Sequence, residues 1–398
     1  MNEPNIEALR PTSEDQAAEL VRDARARGKR IDIVGAGTRS GLGRPHQGDL
    51  QLTTSALQGI AFYEPAEMVI CAGAGTPLSA IEATIDQRGQ MLPFEPMDHR
   101  MLYASGGEPT IGGVVAGNIS GPRRISAGAA RDSLLGIRLV NGAGEIIKNG
   151  GRVMKNVTGL DLVKLNCGAH GTLGLLTQVT LRLLPRPEHE ATIVIRRLND
   201  ASAIAAMTQA LGSPFFVSGA AHLGADMGRE FPRTFLRLEG LRDSVDYRTQ
   251  KLIDLLAPFG AKHALEPGDS ARLWRAIRDA EFLAEPRERA VWRVSLAPSR
   301  GAQFIARLGN LASKHFYDWG GGLVWFMSAP DVATATAIRA ALAPFGGHAT
   351  LMRAPDPLRG AVDVFQPLSA PLMRITRGVK KSFDPDGVIN PGRMYRDV

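Results

Sequence analysis

Glycine placement constrains this chain more than any other feature. Of its 44 glycines, 26 fall in residues 1–186 of 398, many in short blocks: Gly35-Ala36-Gly37-Thr38-Arg39-Ser40-Gly41, Gly73-Ala74-Gly75, Gly112-Gly113 and Gly168 to Gly174. Glycine weakens helix and strand interiors, so such blocks belong where the backbone turns tightly or where something must approach the main chain. No fixed period links them, and 44% hydrophobic with 22% charged residues is the balance of a soluble globular protein, not of collagen, a coiled coil or a low-complexity tail. The length is enough for two or three domains.

The formal net charge of +7 raises the question of nucleic acid. Only nine of the 47 basic residues are lysine, the arginines are scattered along the chain, and no run of five like charges exists, so no basic stripe marks a nucleic-acid surface. Two cysteines, Cys71 and Cys167, cannot build a disulfide framework or a four-ligand zinc site and read as buried thiols. The first residues lack an apolar signal segment and no stretch of 18 apolar residues occurs, so a cytoplasmic chain is expected, reaching the inner membrane only through partners.

All four tryptophans lie beyond Pro185-Arg186-Pro187, which suggests two parts meeting there. In the first, Ser13 and Gln16 form a capping-box pattern ahead of a helical stripe that stops at Gly28, and a strand over 30–34 feeds the first glycine turn. Strands are predicted near 51–53, 59–63, 68–71, 134–140 and 175–184, with a helix capped by Thr76 and Pro77 between them. In the second, strand-like segments (192–196, 234–238, 291–296, 323–327) alternate with helical ones (201–211, 245–256, 270–283, 303–311, 332–342), and a helix over 371–381 precedes Phe383-Asp384-Pro385-Asp386-Gly387. This is an α+β layer, a sheet covered by helices.

The spacing Gly35-x-Gly37-x-x-x-Gly41 is one residue too long for the Rossmann fingerprint, and no helix opens behind it. Two readings stay open: a nest of backbone N–H groups that suits a pyrophosphate, or a plain tight turn. In Pro109-Thr110-Ile111-Gly112-Gly113, Thr110 is placed to cap a helix whose first turn leaves free N–H groups for a phosphate, with Asn118 a little over two turns on. Further on come Arg131-Asp132 before a strand and Gly174-Leu175 opening another.

In that order, GAGTRSGLG, PTIGGVVAGN, RDSLLGIRLVNGAGEI, GLDLVKLNCGAHGTLGLLT and FDPDGVINPGRMY resemble the FAD-binding domain of the vanillyl-alcohol oxidase, or p-cresol methylhydroxylase, type. The 2-hydroxy-acid dehydrogenase branch is nearest. SPFFVSGAAHL, FLRLEG, LWRAIRD, VWRVSLAPS and GGHATLMRAP extend the likeness to the FAD-binding subunits of bacterial glycolate oxidases. The resemblance implies an α+β fold with a two-part FAD-binding domain over 1–186, an α+β cap over 187–354 and a C-terminal segment, 355–398, returning to the FAD domain. It implies that Gly35, Ala36, Gly37, Thr38, Arg39, Ser40, Gly41, Pro109, Thr110, Ile111, Gly112 and Gly113 hold the pyrophosphate of FAD. Asn118, Arg131, Asp132, Gly174, Leu175 and Asn390 complete the expected set. Covalent members carry a histidine in the first turn and sometimes a cysteine before the second; neither is present, so noncovalent FAD is expected.

Oxidising a 2-hydroxy acid needs a cation for the carboxylate and a base for the hydroxyl proton. Catalytic relatives carry a metal-binding His-x-Gly-Asp-Gly-Asn stretch that this sequence lacks, so no metal site is expected. His99, His222, His263, His315 and His348 are candidate bases and Arg353, Arg374, Arg377 and Arg393 candidate clamps, none singled out by spacing. The resemblance implies an FAD-binding subunit of a complex that oxidises glycolate to glyoxylate, beside a homologous FAD-linked catalytic subunit and an iron–sulfur subunit. The alternatives are a self-sufficient FAD oxidoreductase of another 2-hydroxy acid, sugar or lactone, and a flavin-free scaffold.

Overall fold

The computed structural model describes residues 7–152, 159–225, 227, 230–261 and 263–398. The glycine-rich half holds two sheets. In the smaller, Leu50–Thr53 lies between Glu7–Leu9 and Ile31–Val34, all parallel. Helix Glu14–Ala26 starts where the Ser13 hydroxyl accepts the Gln16 amide N–H and has Glu14 and Asp15 in its first turn, both favourable at a helix N-terminus. It buries Ala17, Ala18, Val21 and Ala24 with Ile31, Leu50 and Leu52 of the sheet. The reciprocal arm of the capping box misses its target: Gln16 Oε1 accepts from the Thr12 amide instead.

The larger sheet is antiparallel, in the order Ile60–Glu64, Val69–Gly73, Leu175–Arg182, Leu134–Val140, Ile146–Gly150. Helices Leu78–Asp86 and Ile111–Ala116 share a core with it through Ile81, Ile85, Ile111, Val114 and Val115. Thr76 does not cap the first of these. Pro77 takes the N-cap position, and the Thr76 hydroxyl accepts the Gly59 N–H at 3.0 Å, tying the turn to the neighbouring strand.

The chain end returns to the smaller sheet. Helix Ala370–Phe383 is followed by a turn in which Asp384 accepts the Val388 and Ile389 amides at 2.8 Å and pairs with buried Lys380 at 2.7 Å. Ile389 then lies parallel to Ile31.

The second half is one antiparallel sheet of eight strands: His263–Leu265, His189–Arg196, Arg233–Gly240, Gly219–Leu223, Lys314–Asp318, Leu323–Ser328, Ala290–Ser295, His348–Arg353. Side chains alternate across it. Tyr317, Val324, Phe326 and Trp292 join the core with helices Asp200–Leu211, Gly301–Leu308 and Val332–Leu342, whereas Phe316, Leu323, Trp325 and Met352 face the glycine-rich half.

A buried ionic cluster joins the halves. Arg237 reaches Glu95 twice, at 2.9 and 2.8 Å, and Arg123 reaches Glu239 at 2.6 Å and Glu95 at 3.2 Å. Burial favours a neutral Glu239, yet Arg237 and Arg123 hold it down at about 2. Its contribution is present above the ordinary carboxylate pKa and is lost as pH falls towards 2. Removing one member leaves a buried charge short of a partner, so Glu95→Gln is expected to cost about 3–5 kcal/mol in denaturant unfolding. Glu95→Gln combined with Arg237→Gln should cost less than the two single changes added; simple additivity would show that the pair does not act as a unit.

Candidate functional site

A cleft runs between the two sheets of the first half and ends beneath the front of the eight-stranded sheet. Its outer stretch, about 400 Å³, is lined by Ile33, Thr54, Ala74, Gly174, Leu176 and Asn390 among others. The middle, about 620 Å³, is lined by Gly35 to Ser40, Thr110, Gly113 and Arg393. The inner end, about 600 Å³, is lined by Asn118, Arg293, Asp318, Trp325 and Thr350. His170 borders all three.

The turn after strand Ile31–Val34 is a nest. Gly37 has φ +74°, and the amides of Ala36, Gly37, Thr38 and Arg39 donate to no acceptor among the described residues. The next amides close the turn, Ser40 N–H to Gly37 O at 3.2 Å and Leu42 N–H to Arg39 O at 2.9 Å. Gly41 is needed for packing, since a Cβ there would lie 2.6 Å from the Tyr103 ring. Arg39 donates to His99 Nδ1 at 3.2 Å, and desolvation pulls its guanidinium down to about 10. Across the cleft, half-buried Arg393 donates to Arg44 O at 3.0 Å and Ser40 O at 3.3 Å.

The 109–113 stretch differs from expectation. Thr110 does cap helix Ile111–Ala116, its hydroxyl accepting the Gly113 N–H at 3.3 Å. The first-turn amides are not free, because Ile111 N–H donates to Thr76 O and Gly112 N–H to Ala74 O. Pro109 and Ile111 are buried outside the cleft lining, with Pro109 O accepting from Leu78. Gly112 lines the outer stretch and also permits close packing, since a Cβ there would sit 2.6 Å from Ala74 Cβ. Gly113 opens to the cleft, where a Cβ would come within 3.1 Å of Arg39 Nη1. The free donors expected at 111–113 are therefore found at 36–39.

Asn118 lines the inner end, but in left-handed conformation (φ +48°) past the helix, so no helical face carries it. Its Oδ1 accepts the Arg131 amide at 3.0 Å. Arg131 and Asp132 have exposed side chains outside the lining; Asp132 accepts the Ala129 amide at 2.8 Å and so starts a short helix. Gly174 lines the outer stretch, whereas Leu175 points into the core behind it and Leu176 takes the lining position. Asn390 bridges the ends of the chain, accepting from Ile33 N–H at 2.7 Å and donating to His170 O at 3.0 Å.

Residues 7–150 match the family model described as an FAD binding domain. The chain is 36% identical over 367 residues to glycolate oxidase subunit GlcE of Escherichia coli strain K12, covering 92% of this chain and 93% of GlcE. The chain belongs to the GlcE family of FAD-dependent oxidoreductases. Its cofactor is FAD. This GlcE-family chain is also 30% identical over 168 residues to glycolate oxidase subunit GlcD of Bacillus subtilis, spanning 42% of this chain and 34% of GlcD. The solved structure of p-cresol methylhydroxylase with substrate bound superposes with TM-score 0.75 at 14% identity, covering 98% of this chain and 88% of that one. The α+β fold of this type expected from the sequence is the fold found.

Within this GlcE-family fold the candidate bases separate. His222 and His315 gather around Asp200 on the helix-covered side of the sheet, away from the cleft. His348 is exposed, and the side chain of His263 lies outside the described residues. His99 borders the inner end, and burial beside Arg39 keeps it neutral, far below its ordinary pKa. Its Nδ1 lies 3.2 Å from both Arg39 Nε, a donor, and Met97 O, an acceptor, and its Nε2 is buried without a protein partner among the described residues. The candidate clamps fare differently: Arg374 and Arg377 are exposed, and Arg353 is bound to the carbonyls of Leu102, Ala284 and Pro286. Arg293, Asp318 and His170 at the inner end were not singled out by sequence reasoning.

Burial pushes the Asp318 carboxyl up to about 7, with Glu95 adding to the shift and the Trp319 amide, Arg237 and Arg293 opposing it. A carboxyl raised in the folded state binds its proton more tightly there, so it costs stability progressively as pH rises from about 4 to 7. Asp318→Asn should therefore raise the thermal midpoint relative to wild type at pH 8 and give little gain at pH 4. An equal gain at both would contradict the shift.

Proposed function

We propose that this chain is the GlcE-type, FAD-binding subunit of a glycolate oxidase, acting beside a GlcD-type homologous subunit and an iron–sulfur subunit. The single observation that carries the reading is the continuous cleft, with free amides at 36–39 and cations on both sides. That arrangement fits a pyrophosphate, because successive N–H groups with Arg39 and Arg393 compensate its charge. On this reading Gly35 to Ser40 and Gly113 hold the pyrophosphate, Gly174, Leu176 and Asn390 flank the adenosine half, and Asn118 and His170 border the flavin side. The proposed division is an FAD domain over 1–186, a cap over 187–354 and a returning segment over 355–398.

Bound FAD supplies the two-electron acceptor for oxidation of a CH–OH group, here glycolate to glyoxylate. The chain's own work is to bind and orient: the nest fixes the anionic middle of the cofactor, and Trp325, Leu323 and Met352 wall the inner end against water. With no histidine in the first turn, attachment is noncovalent. The missing His-x-Gly-Asp-Gly-Asn stretch supports sharing the reaction with a GlcD-type subunit, the other glycolate oxidase subunit that this chain resembles.

Two measurements test the reading. Acid precipitation of the purified chain should release the flavin intact, and glycolate-dependent dye reduction by the reconstituted complex should vanish when this chain is omitted. Flavin that stays with the pellet, or full activity without the chain, would count against it. Gly113→Val should lower flavin content by about tenfold or more in a folded protein. Gly112→Val should instead impair folding, through collision with Ala74. Full flavin content in folded Gly113→Val would misplace the pyrophosphate.

A further inference from the structure

We infer that the inner end of the cleft is a binding site for a short 2-hydroxy monocarboxylate, with Arg293 holding the carboxylate and Asp318 receiving the neighbouring hydroxyl. The inference rests on the flavin-subunit reading for the neighbouring ligand, while the binding itself is measurable separately.

The buried arginines Arg237 and Arg123 have Glu95 and Glu239, Arg353 has backbone carbonyls, and Arg359 has Gly43 O at 2.8 Å and Asp356, whereas Arg293 is partly buried. Arg293 makes no hydrogen bond or ion pair among the described residues, yet it lines the cavity. Its guanidinium lies over the rings of Trp319 at 4.9 Å and Trp325 at 5.9 Å, which hold it in place and leave its N–H donors open to the cavity. Desolvation and then nearby Arg124 pull it down to about 10, with Asp318 opposing them. Arg124 also lies over Trp319, at 4.5 Å, outside the lining, and adds positive potential.

Sheet register brings Asp318 to the same place. Arg293 pairs with Trp325 on the next strand and with Thr350 on the other side, and Trp325 pairs with Phe316. Asp318, two residues beyond Phe316, is on the same face and also lines the cavity. Asp318 Oδ1 accepts the Trp319 amide at 2.7 Å, while Oδ2 has no partner among the described residues. A planar guanidinium suits a carboxylate through two parallel hydrogen bonds. Once ionised, above about pH 7, the acidic group beside it accepts from a hydroxyl and repels a second negative charge, which selects a hydroxy monocarboxylate over phosphate or a dicarboxylate.

Calorimetric titration of the purified full-length chain with glycolate, acetate and inorganic phosphate tests this. Wild type should bind glycolate more tightly than acetate and phosphate least. Arg293→Met should weaken glycolate by about tenfold or more, with flavin content and thermal midpoint kept near wild type, because the side chain makes no hydrogen bond or ion pair among the described residues. Arg293→Lys should fall between them and serves if the methionine variant misfolds. Asp318→Ala should remove the preference for glycolate while leaving acetate affinity within about twofold. Equal binding of glycolate and acetate by wild type would overturn the inference. So would phosphate binding tighter than glycolate, or Arg293→Met that shifts the flavin reduction potential with glycolate affinity intact. Arg293-dependent glycolate binding by a chain that takes up no flavin would sustain the inference and reject the flavin-subunit reading.

Discussion

The contact between Glu95 and Arg237 determines where everything else can sit. Glu95 belongs to the glycine-rich half and Arg237 to the eight-stranded sheet, and with Arg123 and Glu239 they form a buried set of two cations and two anions. Taking four charges out of water is tolerable because each has an opposite partner in hydrogen-bonding geometry. Once satisfied, the set admits one docking position, since a shift between the halves would strand a charge. The neighbouring chain follows: Gly121 packs so closely on Glu95 O that no side chain fits there, and its carbonyl accepts the Trp319 indole N–H at 3.1 Å. Through Trp319 the same contact positions Asp318 and Arg293 over the end of the cleft.

The glycines of the first half divide by task once neighbours are considered. Gly112 and Gly41 serve packing, against Ala74 and Tyr103. Gly37 supplies a left-handed residue that turns the chain, and Gly113 keeps the cleft open where Arg39 approaches. A single compositional excess thus reflects two constraints, tight packing of a two-sheet core and close access to the backbone.

Much of the fold was legible because its elements have strong periodicity. Strand Leu134–Val140 and helix Val332–Leu342 have the extents that pattern reading assigns them. Strands Gly219–Leu223 and Lys314–Asp318 did not stand out. The first is alanine-rich, and the second reads Lys-His-Phe-Tyr-Asp, whose polar residues are paired or cavity-facing and so break apolar alternation. The cleft-lining glycines were visible as blocks, but which amides remain free was not. That depends on Thr76 O and Ala74 O, distant acceptors that consume the donors of Ile111 and Gly112. Arg293 and Asp318 escaped for a related reason: one arginine among 38 is marked by facing a cavity beside an aspartate, a property of the packed sheet.

A cofactor cleft built on free amides leads to an inner cavity lined by Arg293 and Asp318, in a molecule whose halves are registered by buried ion pairs. The central claim is the course of FAD along the cleft. Amide hydrogen exchange of the flavin-stripped chain, with and without added FAD, tests that course most directly. The account predicts slowed exchange over 35–41, at 113–118, and around 170–176 and 390–393, with little change along 194–196 and 230–235, which line a separate cavity. Protection confined to that second cavity, or none over 35–41, would contradict it.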